Sequence, residues 1–74
     1  MNTQDKIKAA ISSNPELVIE KAIQFKPTIA EMVEDARKVD GPLSGIAAVA
    51  VRHAIYSTDK AATLANLEAF AASI

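Results

Sequence analysis

Three groups of side chains in this sequence are of types that can do chemistry. The first is His53, the only histidine, followed closely by Tyr56 and Ser57. An imidazole acts as a general base or a metal ligand only alongside a partner group. Its sequence neighbours offer a phenol and a hydroxyl, with no second histidine and no cysteine. A structural or interface role is therefore expected of it. The second group is Ser44, at the head of an apolar run. The third is Glu31, Glu34 and Asp35, with Arg37 and Lys38 beside them. That cluster reads as a solvated face rather than an acid–base pair in a cleft. The sequence holds no phosphate-cradling glycine loop, no G-x-S-x-G, no H-E-x-x-H and no EF-hand loop. The expectation is a protein that is not an enzyme and holds neither cofactor nor metal.

Ser44 has one family resemblance to weigh. A serine at the start of a helix, in a short all-α chain, is similar to the prosthetic-group serine of acyl carrier proteins, which sits in an Asp-Ser-Leu motif. Here the flanks are Leu43-Ser44-Gly45 and the chain lacks that family's strong acidity. The modification is not carried over, and Ser44 is read as a helix-start serine bonding to backbone.

The elements that must position these groups are marked by helix punctuation. Thr3 is placed to cap a first helix, with Asp5 in its first turn and Ile7, Ala10 and Ile11 on one face. Asn14-Pro15-Glu16 is a strong helix start, followed by a stripe of Val18, Ile19, Ala22 and Phe25. Pro27 stops that helix. Thr28 and Glu31 then fit a T-x-x-E capping box for a third helix ending near Lys38, with Glu34 and Lys38 as an i, i+4 pair. One kinked helix from Pro15 to Lys38 is the alternative. Asp40-Gly41-Pro42 is the clearest break, and a left-handed Gly41 would suit a tight reversal there. A fourth helix is expected from about Pro42 to Tyr56 and a fifth from about Thr58 to Ser73, capped by Ser57 or Thr58. The fold class expected is all-α: one small orthogonal or bundle-like domain, residues 1–74, of four to five short helices with a C-terminal αα-hairpin.

Composition bounds the function. The chain has 74 residues, no cysteine and a net charge of −1 from eight basic and nine acidic side chains. No disulfide or thiolate metal site is possible, and no basic field exists to draw in nucleic acid or an anionic membrane. The N-terminal residues lack the apolar core of a signal peptide, and no apolar run reaches the roughly 18–20 residues that span a bilayer. A cytoplasmic location is expected. Domains this small bury only about 60% of their unfolded surface, so a partner often completes them.

Charge is unevenly spread. Residues 39–74 carry only Arg52, Lys60, Asp40, Asp59 and Glu68. The segment Leu43 to Ile55 contains one full charge, Arg52, and is apolar around most of its wheel. A helix of that kind is normally covered on most sides. It is either the central post of the bundle or partly covered by a second subunit. On the fifth helix, Leu64, Leu67, Ala71 and Ile74 form the expected inner stripe, which puts Phe70 on the polar side, either at an interface or folded over the bundle edge. The residues expected to meet a partner are Phe70, Ile74, Val49, His53 and Tyr56. The function expected is a small protein-binding accessory or inhibitor module, regulatory in kind and homodimeric. Two alternatives stand beside it, a helix-turn-helix-like nucleic-acid-binding regulator and a small carrier or ligand-binding bundle. The first of these is weakened by a would-be recognition helix whose polar groups lie near the wrong end.

Overall fold

The computed structural model describes residues 2–56 and 59–74. The protein is all-α, with five α-helices and no strand among those residues: α1 (Thr3–Ser13), α2 (Pro15–Phe25), α3 (Ala30–Arg37), α4 (Leu43–Tyr56) and α5 (Thr63–Ser73). Short 3-10 turns at Pro27–Ile29 and Lys60–Ala62 lead into α3 and α5. The Cα envelope measures 33 × 26 × 16 Å. The thin dimension accommodates two layers of helices packed about 8–10 Å apart.

The breaks at Asn14-Pro15, Pro27 and Gly41-Pro42 fall where the sequence places them, whereas α5 begins at Thr63 after a 3-10 turn rather than near Thr58, and the atoms that make the caps differ. Asn2, not Thr3, caps α1, its side-chain oxygen accepting from the Asp5 amide at 2.8 Å. Asn14 serves two helices. Its amide donates to the Ala10 carbonyl and closes α1, while its side chain accepts from the Leu17 amide at 3.3 Å and opens α2. Pro15 then fits at the first helical position, where no amide hydrogen is needed. Lys26 is extended, φ −141° and ψ 91°, as a residue before proline must be, and this separates α2 from α3. The Thr28–Glu31 capping box does not form. Pro27 starts the 3-10 turn one residue earlier, so Thr28 already lies inside a helical turn and cannot take the extended backbone of a cap.

The α3–α4 connection also departs from expectation. Gly41 is not left-handed, and a Cβ built there would meet nothing within 4 Å. The reversal is spread over Lys38 to Pro42 instead. Lys38 and Val39 donate back to Asp35 and Ala36 at 3.1 Å, and Pro42 accepts from Gly45 and Ile46. With five residues to turn in, no residue has to adopt a strained conformation. At the other end, Asp59 caps the turn into α5 by accepting from the Ala61 amide at 3.2 Å. The expected caps Ser57 and Thr58 lie outside the described residues.

The core is one contiguous cluster fed by every helix. Ile7 comes from α1, Val18, Ile19 and Ala22 from α2, Val33 from α3, and Phe70 and Ala71 from α5. The largest contribution, Ala47, Ala50, Val51, Ala54 and Ile55, comes from α4. Helix α4 packs most extensively on α2, and it also touches α1, α3 and α5. It is the central post. Ala22, Ala47, Ala50 and Ala54 expose no surface at all, and side chains that small let helix backbones approach closely.

Phe70 corrects the sequence reading of α5. It is the largest fully buried side chain, and its ring meets that of Phe25 edge-on, with centroids 5.9 Å apart and planes at 78°. The inner face of α5 is therefore rotated relative to the expected stripe. Leu67, Phe70, Ala71 and Ile74 turn inward, and Leu64 turns out to 66% exposure.

Candidate functional site

Helix α4 has a buried side and an outward side, and the outward side remains apolar. At about 100° per residue, Ile46, Val49, His53 and Tyr56 fall within about 80° of arc. Val49 is 47% exposed and Tyr56 54% exposed; His53 is exposed and Ile46 half-buried. Three of the five expected partner residues, Val49, His53 and Tyr56, thus share one face. The other two do not join them. Phe70 is withdrawn from any surface by its burial in the chain's own core. Ile74 is half-buried and packs against that core.

Two clefts flank this face. On one side, Ala36, Val39, Gly41, Pro42, Gly45, Ile46 and Val49 line a groove of about 320 Å³ between the end of α3 and the start of α4. None of these side chains is ionisable. Val39, missed by the sequence reading, is the most exposed large hydrophobe among the described residues, at 69%. The signal that could have found it is an isolated valine between Lys38 and Asp40, in a link with no helical face to bury it. On the other side, α1, α4 and α5 enclose a cleft of about 260 Å³. Its lining includes Ile7, Val51, Ile55 and Leu67, with Lys8, Arg52, Gln4 and Tyr56 among the rest.

The charged face of α2 and α3 is organised differently from its sequence reading. Arg37 donates two parallel hydrogen bonds to the Glu16 carboxylate, both at 3.0 Å. This bidentate clamp ties the start of α2 to the end of α3. Hydrogen bonding from Arg37, reinforced by its charge, holds the Glu16 carboxyl below its ordinary value of 4.5. The same contacts raise Arg37. Each charge also complements the dipole of its own helix end. Lys38 pairs with Asp35 at 3.7 Å, at i, i+3, in place of the expected Glu34. Ser44 is exposed near the start of α4.

Among the described residues, no group of three or more histidine, aspartate or glutamate side chains is placed to hold a metal ion. Nor is any helix among them long and apolar enough to cross a membrane. No known family model, curated protein or solved structure matches the chain.

Proposed function

We propose that this protein is a small accessory or regulatory module of the cytoplasm, an inhibitor being one form of it. It acts by binding protein through the outward face of α4 and is a homodimer through that face. The observation that supports this is the α3–α4 groove. Its seven described lining residues carry no ionisable side chain, and Val39 and Val49 stand exposed on its rim. Apolar surface of this kind marks interaction sites, and depletion of charge is the compositional mark of an interface centre. A two-fold dimer apposes the same patch from both copies. A patch without charge does this with no like-charge repulsion. Standard interfaces bury about 800 Å² per partner. The groove must therefore be joined by the neighbouring His53 and Tyr56 side of α4.

Dilution of isotope-labelled protein from millimolar to micromolar tests it by amide chemical shifts. Self-association through this face moves the amides of Ala36, Val39, Ile46, Val49 and His53 with concentration and leaves those of α2 still. Spectra independent of concentration, with the tumbling time of a 74-residue monomer, would remove the homodimer.

A further inference from the structure

The α1–α4–α5 cleft differs from the α3–α4 groove in a way that bears on what can sit in it. Each of two walls carries a cation, Lys8 from α1 and Arg52 from α4, while Gln4 and Tyr56 complete a polar rim. No carboxylate is among the described residues that line it. Glu68, the acid next to Leu67 in sequence, is not part of the lining. Lys8 and Arg52 are both exposed, and neither forms an ion pair with a described residue. In a chain of net charge −1 this is a local field of opposite sign to the whole. An anion placed in the cleft gains from both walls, and Arg52 can grip a carboxylate with two parallel hydrogen bonds.

The shape restricts the anion further. Ile7, Val51 and Ile55 on the floor are already buried, so the apolar surface still open comes from Leu67, Ala48 and the Tyr56 ring. Leu64, one turn before Leu67 on α5, is 66% exposed but is not part of the lining. At about 260 Å³ the cleft is small and open. Sites for drug-sized molecules run from roughly 300 to 1,000 Å³ and bury most of the ligand. A shallow apolar strip between two cations is instead the form that receives one face of a helix, read as anchors one turn apart. We infer that this cleft docks an acidic amphipathic helix of a partner protein. The carboxylates of that helix meet Lys8 and Arg52, and its apolar anchors lie on Leu67, Ala48 and the Tyr56 ring. The inference rests on the protein-binding reading above but not on self-association, whose face, the groove on the other side of α4 joined by His53 and Tyr56, shares only Tyr56 with this cleft.

The probe is a synthetic helical peptide with leucines at i, i+3 and i+4 flanked by glutamates, titrated into isotope-labelled full-length protein. A second peptide has glutamine at every glutamate. Amide shifts are expected at Lys8, Arg52, Tyr56 and Leu67. The glutamine peptide should bind about tenfold or more weakly, and so should the glutamate peptide to Lys8→Glu or Arg52→Glu. Both substitutions lie on exposed side chains, and unchanged circular dichroism melts establish that the variants are folded. Absence of binding at millimolar glutamate peptide overturns the inference. So does equal binding of the two peptides, or shifts confined to Val39 and Val49. Decanoate is the competing small anion. If it displaces the peptide and binds more tightly than it, the cleft is a site for a carboxylate amphiphile rather than for a helix. Dilution without peptide reports self-association separately, so failure of the dimer and failure of this site give different results.

Discussion

Helices α4 and α5 are built from similar material, yet the sequence discloses the inner face of one and conceals that of the other. Both are rich in alanine and carry few charges. In α4 the buried positions, Ala47, Ala50, Val51, Ala54 and Ile55, follow the wheel directly, with Gly45, Ala48 and Arg52 outside as expected. In α5 the face is turned, so that Phe70 goes in and Leu64 goes out. The difference lies in what fixes rotation. Helix α4 has neighbours from all four other helices, and its wheel offers one dominant arc. Helix α5 is coated with alanine at 65, 69 and 72, with Ala61 and Ala62 in the turn before it, which gives no direction of its own. Its rotation is set by the largest apolar volume. A phenylalanine buries roughly 150–250 Å², more than a leucine can, and gains further from an edge-on aromatic partner. Phe25 supplies that partner across the core.

Substitutions can break or sharpen this contrast. The largest effect is expected at the centre of α4. Ala50 has no exposed surface, so Ala50→Asp places an unpaired carboxylate in the core at a cost of several kcal/mol. Total stability for a domain of this kind is about 5–15 kcal/mol. Loss of the helical circular dichroism signal at room temperature is the expected result. Next comes the rotation of α5. Phe70→Ala is expected to destabilise by about 3–5 kcal/mol and Leu64→Ala by no more than about 0.5. Urea midpoints measure both, and the reverse order would restore the face expected from the wheel.

Two smaller effects test the connections between helices. Because a Cβ at Gly41 meets nothing and the backbone is not left-handed, Gly41→Ala should be neutral or stabilise by about 0.4–1 kcal/mol. A marked fall in melting temperature would mean that the turn is tight after all. The smallest effect concerns Glu16. Its carboxyl is lowered by Arg37, so its contribution to stability is present above the ordinary value of 4.5 and is lost as pH falls through the lower folded value. The pair is exposed, so the contribution is small. The difference in urea midpoint between wild type and Glu16→Gln should be slight at neutral pH and vanish in the acid range below pH 4.5. A difference that persists into that range would show that Glu16 acts through something other than its charge.

Much of the fold could be read in advance because it rests on local backbone chemistry. Asn14-Pro15, Pro27 and Gly41-Pro42 restrict dihedral angles whatever surrounds them, and each break sits where they stand. The separation of α2 from α3 follows from Lys26 being held extended by Pro27. What the sequence obscured depends on through-space neighbours. Glu16 and Arg37 are 21 residues apart and meet only once α2 and α3 have docked. The outward face of α4 was legible at Val49, His53 and Tyr56 because they share one arc. Val39 was not, because it lies in a link without periodicity. Phe70 was misassigned because a wheel weighs angle and not volume.

The central claim is that the outward side of α4 is surplus to folding and is where the protein meets a second copy of itself. Sedimentation equilibrium on the wild type and on Val49→Asp, at roughly 50 micromolar, tests it most directly. At that concentration, association worth about 6 kcal/mol is visible. The expected result is a wild-type dimer and a Val49→Asp monomer that melts like wild type diluted to its monomer, since Val49 is 47% exposed in the single chain. A wild type that sediments as a monomer would contradict the claim and leave α4 simply the central post of a self-sufficient bundle.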